Sequence, residues 1–168
     1  KNSIFWKIDQ IEILSDNRKD NKILNFGKNN QTLFSMVRYE KIYDLLNENL
    51  KKKKLFKKVI IKDKNFYKKI LSKTKYDLII NFEPNNEISK KYFKKNIVKN
   101  YNSSAYTTVL KHESINNNKA VQIFTKYGPI AFLPISKTET SVVYSILNQK
   151  NNLTKNNVTE LIREFNLN

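Results

Sequence analysis

Apolar residues alternate with polar ones near the start of the chain, at the spacing of a half-buried β-strand. This pattern covers residues 4–14, and it changes phase near Asp9 and Gln10, where we predict a β-bulge. The segment Lys22–Phe26, which contains three apolar residues and is followed by Gly27, predicts a second, short strand. A polar turn at residues 16–21 separates the two runs, so an antiparallel hairpin is the simplest connection between them.

The apolar spacing lengthens to three and four residues between positions 37 and 53, which predicts an amphipathic α-helix. The apolar stripe of this helix contains Tyr39, Ile42, Tyr43, Leu46 and Leu50. Beyond it, residues 55–61 predict a strand and residues 65–71 a short amphipathic helix. The run Tyr76–Phe82 is almost continuously apolar, which is typical of a strand buried on both faces in a parallel sheet.

Tyrosine, threonine and valine suit a pleated surface, and they are frequent in the second half of the chain. We predict four strands there that form an antiparallel meander, at residues 100–112, 120–125, 130–135 and 140–147. Gly128 and Pro129 predict a turn, and the run Asn116–Asn118 predicts a loop tip. A last helix is predicted from Lys155 to Phe165, with Thr154 as its N-cap.

These elements predict an α+β fold, in which an antiparallel sheet combines with helices and with part of an α/β domain. Residues 1–96 would supply a strand-hairpin-helix portion and the α/β segment, residues 97–150 the sheet, and residues 151–168 the C-terminal helix. We expect the three segments to form one compact unit. The chain begins at Lys1 without a methionine, so we expect it to be a piece of a longer product.

The chain is strongly basic, with a formal net charge of +17, and this charge raises the question of nucleic-acid binding. Only three of its 32 basic residues are arginine and the remaining 29 are lysine. Arginine provides the bidentate contacts that recognise phosphate and guanine, whereas lysine is a solvated point charge. Because the lysines are spread along the chain, we expect no specific nucleic-acid partner.

The residue types on which several common active sites depend are scarce or missing. Cysteine is absent, so disulfides and thiolate metal sites are excluded, which fits a cytoplasmic location. His112 is the only histidine, and we interpret it as structural. The chain has two glycines, Gly27 and Gly128, so it cannot form a glycine-rich phosphate loop. We predict no catalytic residue and no metal ligand in this chain.

Glycine and proline are concentrated in one short segment, Gly128–Ser136, with the sequence GPIAFLPIS. On physical grounds alone, it is a turn followed by a core strand. It also closely resembles the G-P-[LI]-A-[FL]-L-P-[LI] signature of the FAD-dependent aromatic hydroxylases of ubiquinone biosynthesis, the 2-polyprenyl-6-methoxyphenol hydroxylase family. Three neighbouring elements of that family are matched in the same order by Tyr101–Ala105, Ala120–Phe124 and Ser141–Ser145.

The resemblance implies an FAD cofactor that is reduced by NAD(P)H and that serves to hydroxylate the ring of a polyprenylated phenol. The protein would position the ring and exclude water, which agrees with the lack of a polar catalytic cluster. By the same resemblance, an antiparallel substrate-side sheet would supply the wall facing substrate and flavin, formed by Gly128, Pro129, Ile130, Ala131, Phe132, Leu133 and Pro134.

Two further residues, Arg38 and Glu83, lie by resemblance near positions at which the family contacts FAD. Glu83 and Lys90 keep the charges of the family's A-D-G-x-x-S-x-x-R motif, but Pro84 replaces its glycine and Glu87 its serine. Proline fixes φ and removes a backbone donor, so the motif departs from its pattern. The family's glycine-rich FAD loop has no counterpart in this chain, and we expect the chain alone to be inactive.

Two alternatives to a hydroxylase remain open at this point. The chain could be a divergent, non-catalytic scaffold or binding member of the same family, or a basic nucleic-acid-binding module. For the hydroxylase, the expected partners are the polyprenylated phenol and other proteins of ubiquinone synthesis. Because that substrate is a lipid, we also expect peripheral membrane contact of the cytoplasmic protein.

Overall fold

A computed structural model describes residues 4–16, 22–27, 31–60, 65–72, 76–93, 97, 99–147 and 154–166. Its contacts divide the chain into two compact units. Unit 1 comprises residues 1–48 and 101–168, and unit 2 comprises residues 49–100. The domain boundaries expected from sequence, at 96/97 and 150/151, stay predictions.

The described elements are eight strands and four helices. The strands are β1 (Phe5–Ile8), β2 (Gln10–Ser15), β3 (Lys22–Phe26), β4 (Phe34–Val37), β5 (Ser103–Lys111), β6 (Lys119–Thr125), β7 (Gly128–Pro134) and β8 (Glu139–Leu147). The helices are α1 (Tyr39–Lys51), α2 (Asn65–Ser72), α3 (Glu87–Tyr92) and α4 (Lys155–Glu164). This mixed content agrees with the predicted α+β class.

Most of the strands in unit 1 form one sheet of six, in the order β3-β2-β6-β7-β8-β5. All neighbours in it are antiparallel except β2 and β6, which run parallel. The predicted hairpin partners β2 and β3 are antiparallel neighbours, with Ile11 opposite Phe26. The turn predicted between them lies, after Asp16, outside the described residues.

The first predicted strand is divided in two, and the prediction of a bulge near Asp9 was wrong. β1 leaves the large sheet and pairs with β4 in a separate antiparallel sheet of two strands. Asp9 lies at the break, where its backbone N–H donates to Asn118 O at 3.1 Å and its Oδ2 accepts from Asn118 Nδ2 at 2.7 Å. The irregularity within the β2–β3 ladder lies instead between Ile13 and Leu14.

The prediction of a four-stranded meander is correct for β6, β7 and β8 but wrong for β5. β5 lies beyond β8 at the far edge of the sheet, so the chain must cross back between Lys111 and Lys119. Lys111 is opposite Glu139, the first residue of β8, and residues 112–118 therefore cross the sheet end at which β8 begins. The predicted turn at Gly128 and Pro129 is also displaced, because the turn is at Lys126 and Tyr127.

A buried asparagine holds this crossover against the turn between β7 and β8. Asn117 is only 6% exposed, so the prediction of a loop tip there was wrong. Its Nδ2 donates to Ser136 O at 2.8 Å and to Thr140 Oγ1 at 3.0 Å, and lies 3.2 Å from Glu139 O. Its backbone carbonyl accepts from the indole Nε1 of Trp6 in β1. Through its side chain and its backbone carbonyl, Asn117 thus joins the crossover to the β7–β8 turn, to the start of β8 and to β1.

The core of unit 1 lies between one face of the sheet and α4. Its buried side chains are Ile123, Ile130, Phe132, Val142, Tyr144, Ile146, Val158 and Ile162. Alternate residues of β8 are buried, as the period of a strand requires. The prediction of Thr154 as the N-cap of α4 is confirmed, because Thr154 and Asn157 exchange side chain-to-backbone hydrogen bonds in a capping box.

Unit 2 departs most from the sequence-based expectations. α2 confirms the predicted short helix, but residues 55–60 and Tyr76–Phe82 form no strand. Phe82 is 92% exposed, and Leu78 and Ile80 are exposed as well. A strand buried on both faces needs neighbouring strands beside it. No strand is present in the described part of unit 2, so these apolar runs have no ladder to join.

The helix predicted at 37–53 is confirmed as α1, yet its apolar stripe is not buried. None of its residues is buried, and Tyr39, Tyr43, Leu46 and Leu50 are all exposed. Its amphipathic pattern therefore predicted the helix correctly but not a packing partner for it. No described helix has both the length and the apolarity needed to cross a membrane.

We predict that Asn117→Ala lowers the free energy of unfolding by at least about 2 kcal/mol, because buried carbonyl and hydroxyl groups lose their donor. Urea-induced unfolding followed by circular dichroism measures this change. Asn116→Ala removes the same group from the exposed neighbouring position and should have little effect. Equal losses in the two variants would show that the Asn117 amide does not hold the crossover.

Glu12, in the centre of β2, gives a second prediction. Its pKa is lowered, first by the hydrogen bond from Lys119 and also by that from Lys22, while burial opposes the shift. A carboxylate with a lowered pKa stabilises the fold above its unfolded-state pKa, and this contribution disappears as pH falls through its lower folded-state pKa. Glu12→Gln should therefore cost about 1 kcal/mol at neutral pH.

The cost of Glu12→Gln should shrink as pH falls below the ordinary value of 4.5. Urea unfolding of both proteins across this pH range measures it. Glu113→Gln is the matched control, because Glu113 is exposed and belongs to none of the described ion pairs. A cost for Glu12→Gln that stayed constant from neutral to acidic pH would contradict the assigned role of the two lysines.

Candidate functional site

The segment with the hydroxylase-like signature forms β7, an inner strand of the large sheet. β6 and β8 flank it on both sides in antiparallel register. Pro129 is the second residue of β7 and Pro134 its last, so both prolines lie near strand ends, where a missing backbone donor is tolerated best. The segment is therefore held rigidly, with ladder partners along its whole length.

β7 divides the seven predicted wall residues between two faces of the sheet. Ile130, Phe132 and Pro134 are buried, and the first two belong to the core beneath α4. Pro129, Ala131 and Leu133 alternate with them and are half-buried on the opposite side. A strand cannot direct consecutive side chains to one face. Of the side chains in the predicted wall, only those of Pro129, Ala131 and Leu133 can therefore contact a ligand on the side away from the core. Their role as a wall stays a prediction.

The side of the sheet opposite α4 is more exposed than the core side, and we call it the open face. The register places ten residues on it around β7: Thr107, Val109, Gln122, Phe124, Pro129, Ala131, Leu133, Ser141, Val143 and Ser145. Phe124 and Val109 are each 44% exposed. The centre of the open face is thus apolar, with small hydroxyl and amide groups and without a charged side chain.

Gly128 has a structural requirement that explains its identity without a ligand. Its φ is +135°, in a region that residues with a Cβ rarely adopt. A Cβ built there would lie 2.1 Å from Ser145 O in the neighbouring strand. The glycine of the signature is therefore needed for the entry into β7 and for its close approach to β8.

Arg38, which resemblance placed near FAD, lies between β4 and α1. Its Nη2 donates to Oε2 of Glu139, the residue that opens β8. Glu139 lies on the same side of the sheet as the open face, at the end where β8 begins, and is opposite Lys111. The structure thus brings Arg38 to the rim of the open face, where its guanidinium is engaged by a carboxylate of the same chain. Its contact with a cofactor stays a prediction.

Glu83 belongs to unit 2 and takes part in a capped turn before α3. Its backbone carbonyl accepts from Ser89 Oγ and from Asn81 Nδ2, the latter at 3.2 Å. Asn81 Oδ1 in turn accepts from Asn86 Nδ2 at 2.6 Å, and Asn86 caps the helix through Ser89 N–H. Residues 82–90, which resemble the family motif, therefore fold around the buried serine Ser89. The sequence analysis gave Ser89 no role.

His112 is part of the hydrogen-bonded group around Asn117. Its Nδ1 lies 2.7 Å from Glu113 O, which is hydrogen-bond distance for the tautomer that carries the proton on Nδ1. Its Nε2 lies 3.0 Å from Thr140 Oγ1. These contacts agree with the structural role expected for His112. Within the described ranges, no group of three or more His, Cys, Asp or Glu residues could hold a metal ion.

Described residues line a cavity in each of the two units. In unit 1, a cavity of about 150 Å³ is lined by Phe132, Pro134, Asn117, Thr140 and their neighbours on the core side of the sheet. In unit 2, a cavity of about 330 Å³ is lined mainly by Tyr76, Ile79, Ile88, Tyr92 and Phe93. Pockets for cofactors and drug-sized ligands commonly reach 300–1,000 Å³, so the first is too small for either.

Comparison with known proteins gives one partial match and no match to a family model. The chain is 49% identical over 51 residues to a zebrafish (Danio rerio) protein described as ubiquinone biosynthesis monooxygenase COQ6, mitochondrial. The matched segment covers 30% of this chain and 10% of the zebrafish protein. This partial similarity points to the same kind of protein as the signature in β7, and it leaves most of the chain without a counterpart.

We predict that Gly128→Ala destabilises the protein by at least about 3 kcal/mol, because the variant combines an unfavourable φ with a clash against the β8 backbone. Urea unfolding measures the effect. Gly27→Ala is the control, since Gly27 has no such φ and its nearest atom to an added Cβ is Asp9 O at 3.1 Å. If the two variants lost the same stability, the special requirement at Gly128 would be disproved.

Proposed function

We propose that the chain is part of a flavin-dependent monooxygenase of ubiquinone biosynthesis that hydroxylates a polyprenylated phenol. The observation that carries this proposal is the 49% identity over 51 residues with a ubiquinone biosynthesis monooxygenase. The hydroxylase-like signature in β7 also supports this proposal. The cofactor would be FAD, with NAD(P)H as its reductant.

The open face has the chemistry that a flat aromatic ring requires. Ala131 is small enough to permit close approach, and Leu133 and Val143 beside it offer apolar contact. Ser141, Ser145 and Gln122 supply polar groups of the kind that orient a bound ring. The described residues therefore fit the ring of a flavin or a phenol. They offer no glycine-rich cradle for a diphosphate.

Within this proposal, FAD supplies the oxygen chemistry when bound, and the chain supplies position and shielding. β7 is fixed by ladders on both sides, so Pro129, Ala131 and Leu133 would form a rigid floor for the ring. Apolar side chains at the centre of the open face would exclude water from the reacting groups. Arg38 and Glu83 are proposed as contacts of the cofactor, and unit 2 as part of its α/β domain.

The partners and the location follow from the proposed substrate. A polyprenylated phenol partitions into membranes, so we propose peripheral membrane contact, together with association with other ubiquinone-synthesis proteins. A specific nucleic-acid partner forms no part of the proposal. We retain a cytoplasmic location as a prediction, although the zebrafish relative is described as mitochondrial. Tagging the full-length protein and imaging it would distinguish the two compartments.

The test uses the full open reading frame that contains this chain. The purified protein should show the visible absorbance of a bound flavin and should consume NAD(P)H and oxygen when a prenylated phenol is added. Leu133→Glu should lower kcat/KM by about thirtyfold or more, since a carboxylate would be desolvated against an apolar ligand. The free energy of unfolding should change little, because Leu133 faces away from the core.

Val109→Glu is the matched control for this experiment. Val109 lies on the same face but in the edge strand β5, and it is more exposed than Leu133. The kcat/KM of this variant should stay within about threefold of the parent's. β8 separates β5 from β7, and water and salt screen a solvated charge two strands away from the ring. A folded full-length protein that purified colourless and bound no added FAD would contradict the proposal and would favour a non-catalytic member of the family.

A further inference from the structure

A short segment of unit 2, residues 49–60, combines positive charge with exposed apolar side chains. We call the part with the sequence KKKKLFKKVI, residues 51–60, the basic segment. It contains six lysines and no acidic residue. Every residue in it is exposed. Neither feature is explained by the open face or by the core.

Four consecutive lysines, Lys51–Lys54, begin the basic segment. Lys51–Lys54 take part in none of the ion pairs among the described residues. The backbone there makes two successive turns after α1, with Lys53 N–H donating to Leu50 O at 2.9 Å and Phe56 N–H donating to Lys53 O at 3.0 Å. The four lysines are consecutive and all exposed, so they can meet a negatively charged surface together.

The apolar residues in the same segment decide which kind of surface fits. Leu55 is fully exposed, Ile60 is 75% exposed, and Val59 and Phe56 are exposed too. Transfer of aliphatic side chains from water to an apolar medium lowers the free energy. A phosphate backbone offers no such medium. A lipid bilayer with acidic headgroups offers both, since its surface attracts lysine and its acyl boundary accepts leucine and isoleucine.

Nucleic acid fits the basic segment less well for a further reason. Single-stranded nucleic acid is bound by a basic groove together with several stacked aromatic rings, and arginine forks are the side chains best suited to bidentate contacts with phosphate and guanine. The basic segment has no arginine and one aromatic residue, Phe56. From this combination we propose that residues 51–60 form a docking surface for membranes that contain anionic phospholipids.

The test is cosedimentation of the full-length protein with vesicles of phosphatidylcholine, with and without phosphatidylglycerol. Binding should require phosphatidylglycerol and should weaken as salt is raised. Changing Lys51, Lys52, Lys53 and Lys54 together to Gln should lower the binding constant by on the order of a hundredfold. Changing both Leu55 and Ile60 to Ser should lower it by about tenfold, with charge unchanged. Circular dichroism checks that each variant stays folded.

A second set of four lysines provides a control with the same loss of net charge. Lys41, Lys111, Lys126 and Lys137 are exposed and lie outside the basic segment. Changing these four to Gln should weaken binding at least about tenfold less than changing Lys51–Lys54. Equal losses in the two sets would overturn the proposal, because net charge alone would then explain binding.

Two other results would also overturn the assignment. One is equal binding to vesicles with and without phosphatidylglycerol. The other is tight binding to a DNA or RNA oligonucleotide, lost in the Lys51–Lys54 variant, without binding to either vesicle. Vesicle binding and flavin binding are measured separately on the same protein, so a colourless protein that docked on anionic vesicles would contradict the hydroxylase function and leave membrane docking intact.

Discussion

The buried amide of Asn117 is the constraint on which the arrangement of the large sheet depends. β5 lies at one edge of the sheet, and β8 and β7 lie between it and β6, so the chain from β5 to β6 must cross the sheet end. Asn117 fixes that crossing by donating to the β7–β8 turn and to Thr140 at the start of β8. It also accepts from Trp6 in β1. Because these groups are buried or partly buried, each hydrogen bond is costly to leave unmade.

The two faces of the large sheet differ in what covers them. α4 follows β8 along the chain and covers the core side, where Val158 and Ile162 join the buried residues of β6, β7 and β8. On the open face, Phe124 in β6 stays nearly half exposed. Contiguous apolar surface often marks a binding site, and the open face is apolar at its centre beside β7. The same architecture that builds the core therefore leaves a surface suited to an aromatic ligand.

Local periodicity predicted the strands and helices whose formation depends on nearby residues. β6, β7 and β8 alternate, α1 and α4 have stripes of three and four, and Thr154 begins α4 with a cap that can be recognised within four residues. What failed depended on distant partners. Residues Tyr76–Phe82 have the pattern of a buried strand, but a strand also needs neighbours, and sequence spacing carries no information on their presence. The burial of Asn117 has the same origin.

The candidate site shows the same limit, and it changes how the signature should be interpreted. As a sequence, Gly128–Pro134 resembles one functional unit, yet its residues have two kinds of environment. Gly128 is required by its φ and by the approach of Ser145 O, and Ile130 and Phe132 by the core. These residues would be selected for folding whether or not a flavin is bound.

Only Pro129, Ala131 and Leu133 are free of that structural demand, since they project from the open face. A resemblance that includes all seven residues therefore supports the fold more strongly than the activity. Evidence for the activity must come from the alternate residues, because a change at Ala131 or Leu133 can alter ligand contact while the ladders and the core stay intact. The signature thus combines a folding requirement and a binding surface, separated by the two-residue period of the strand.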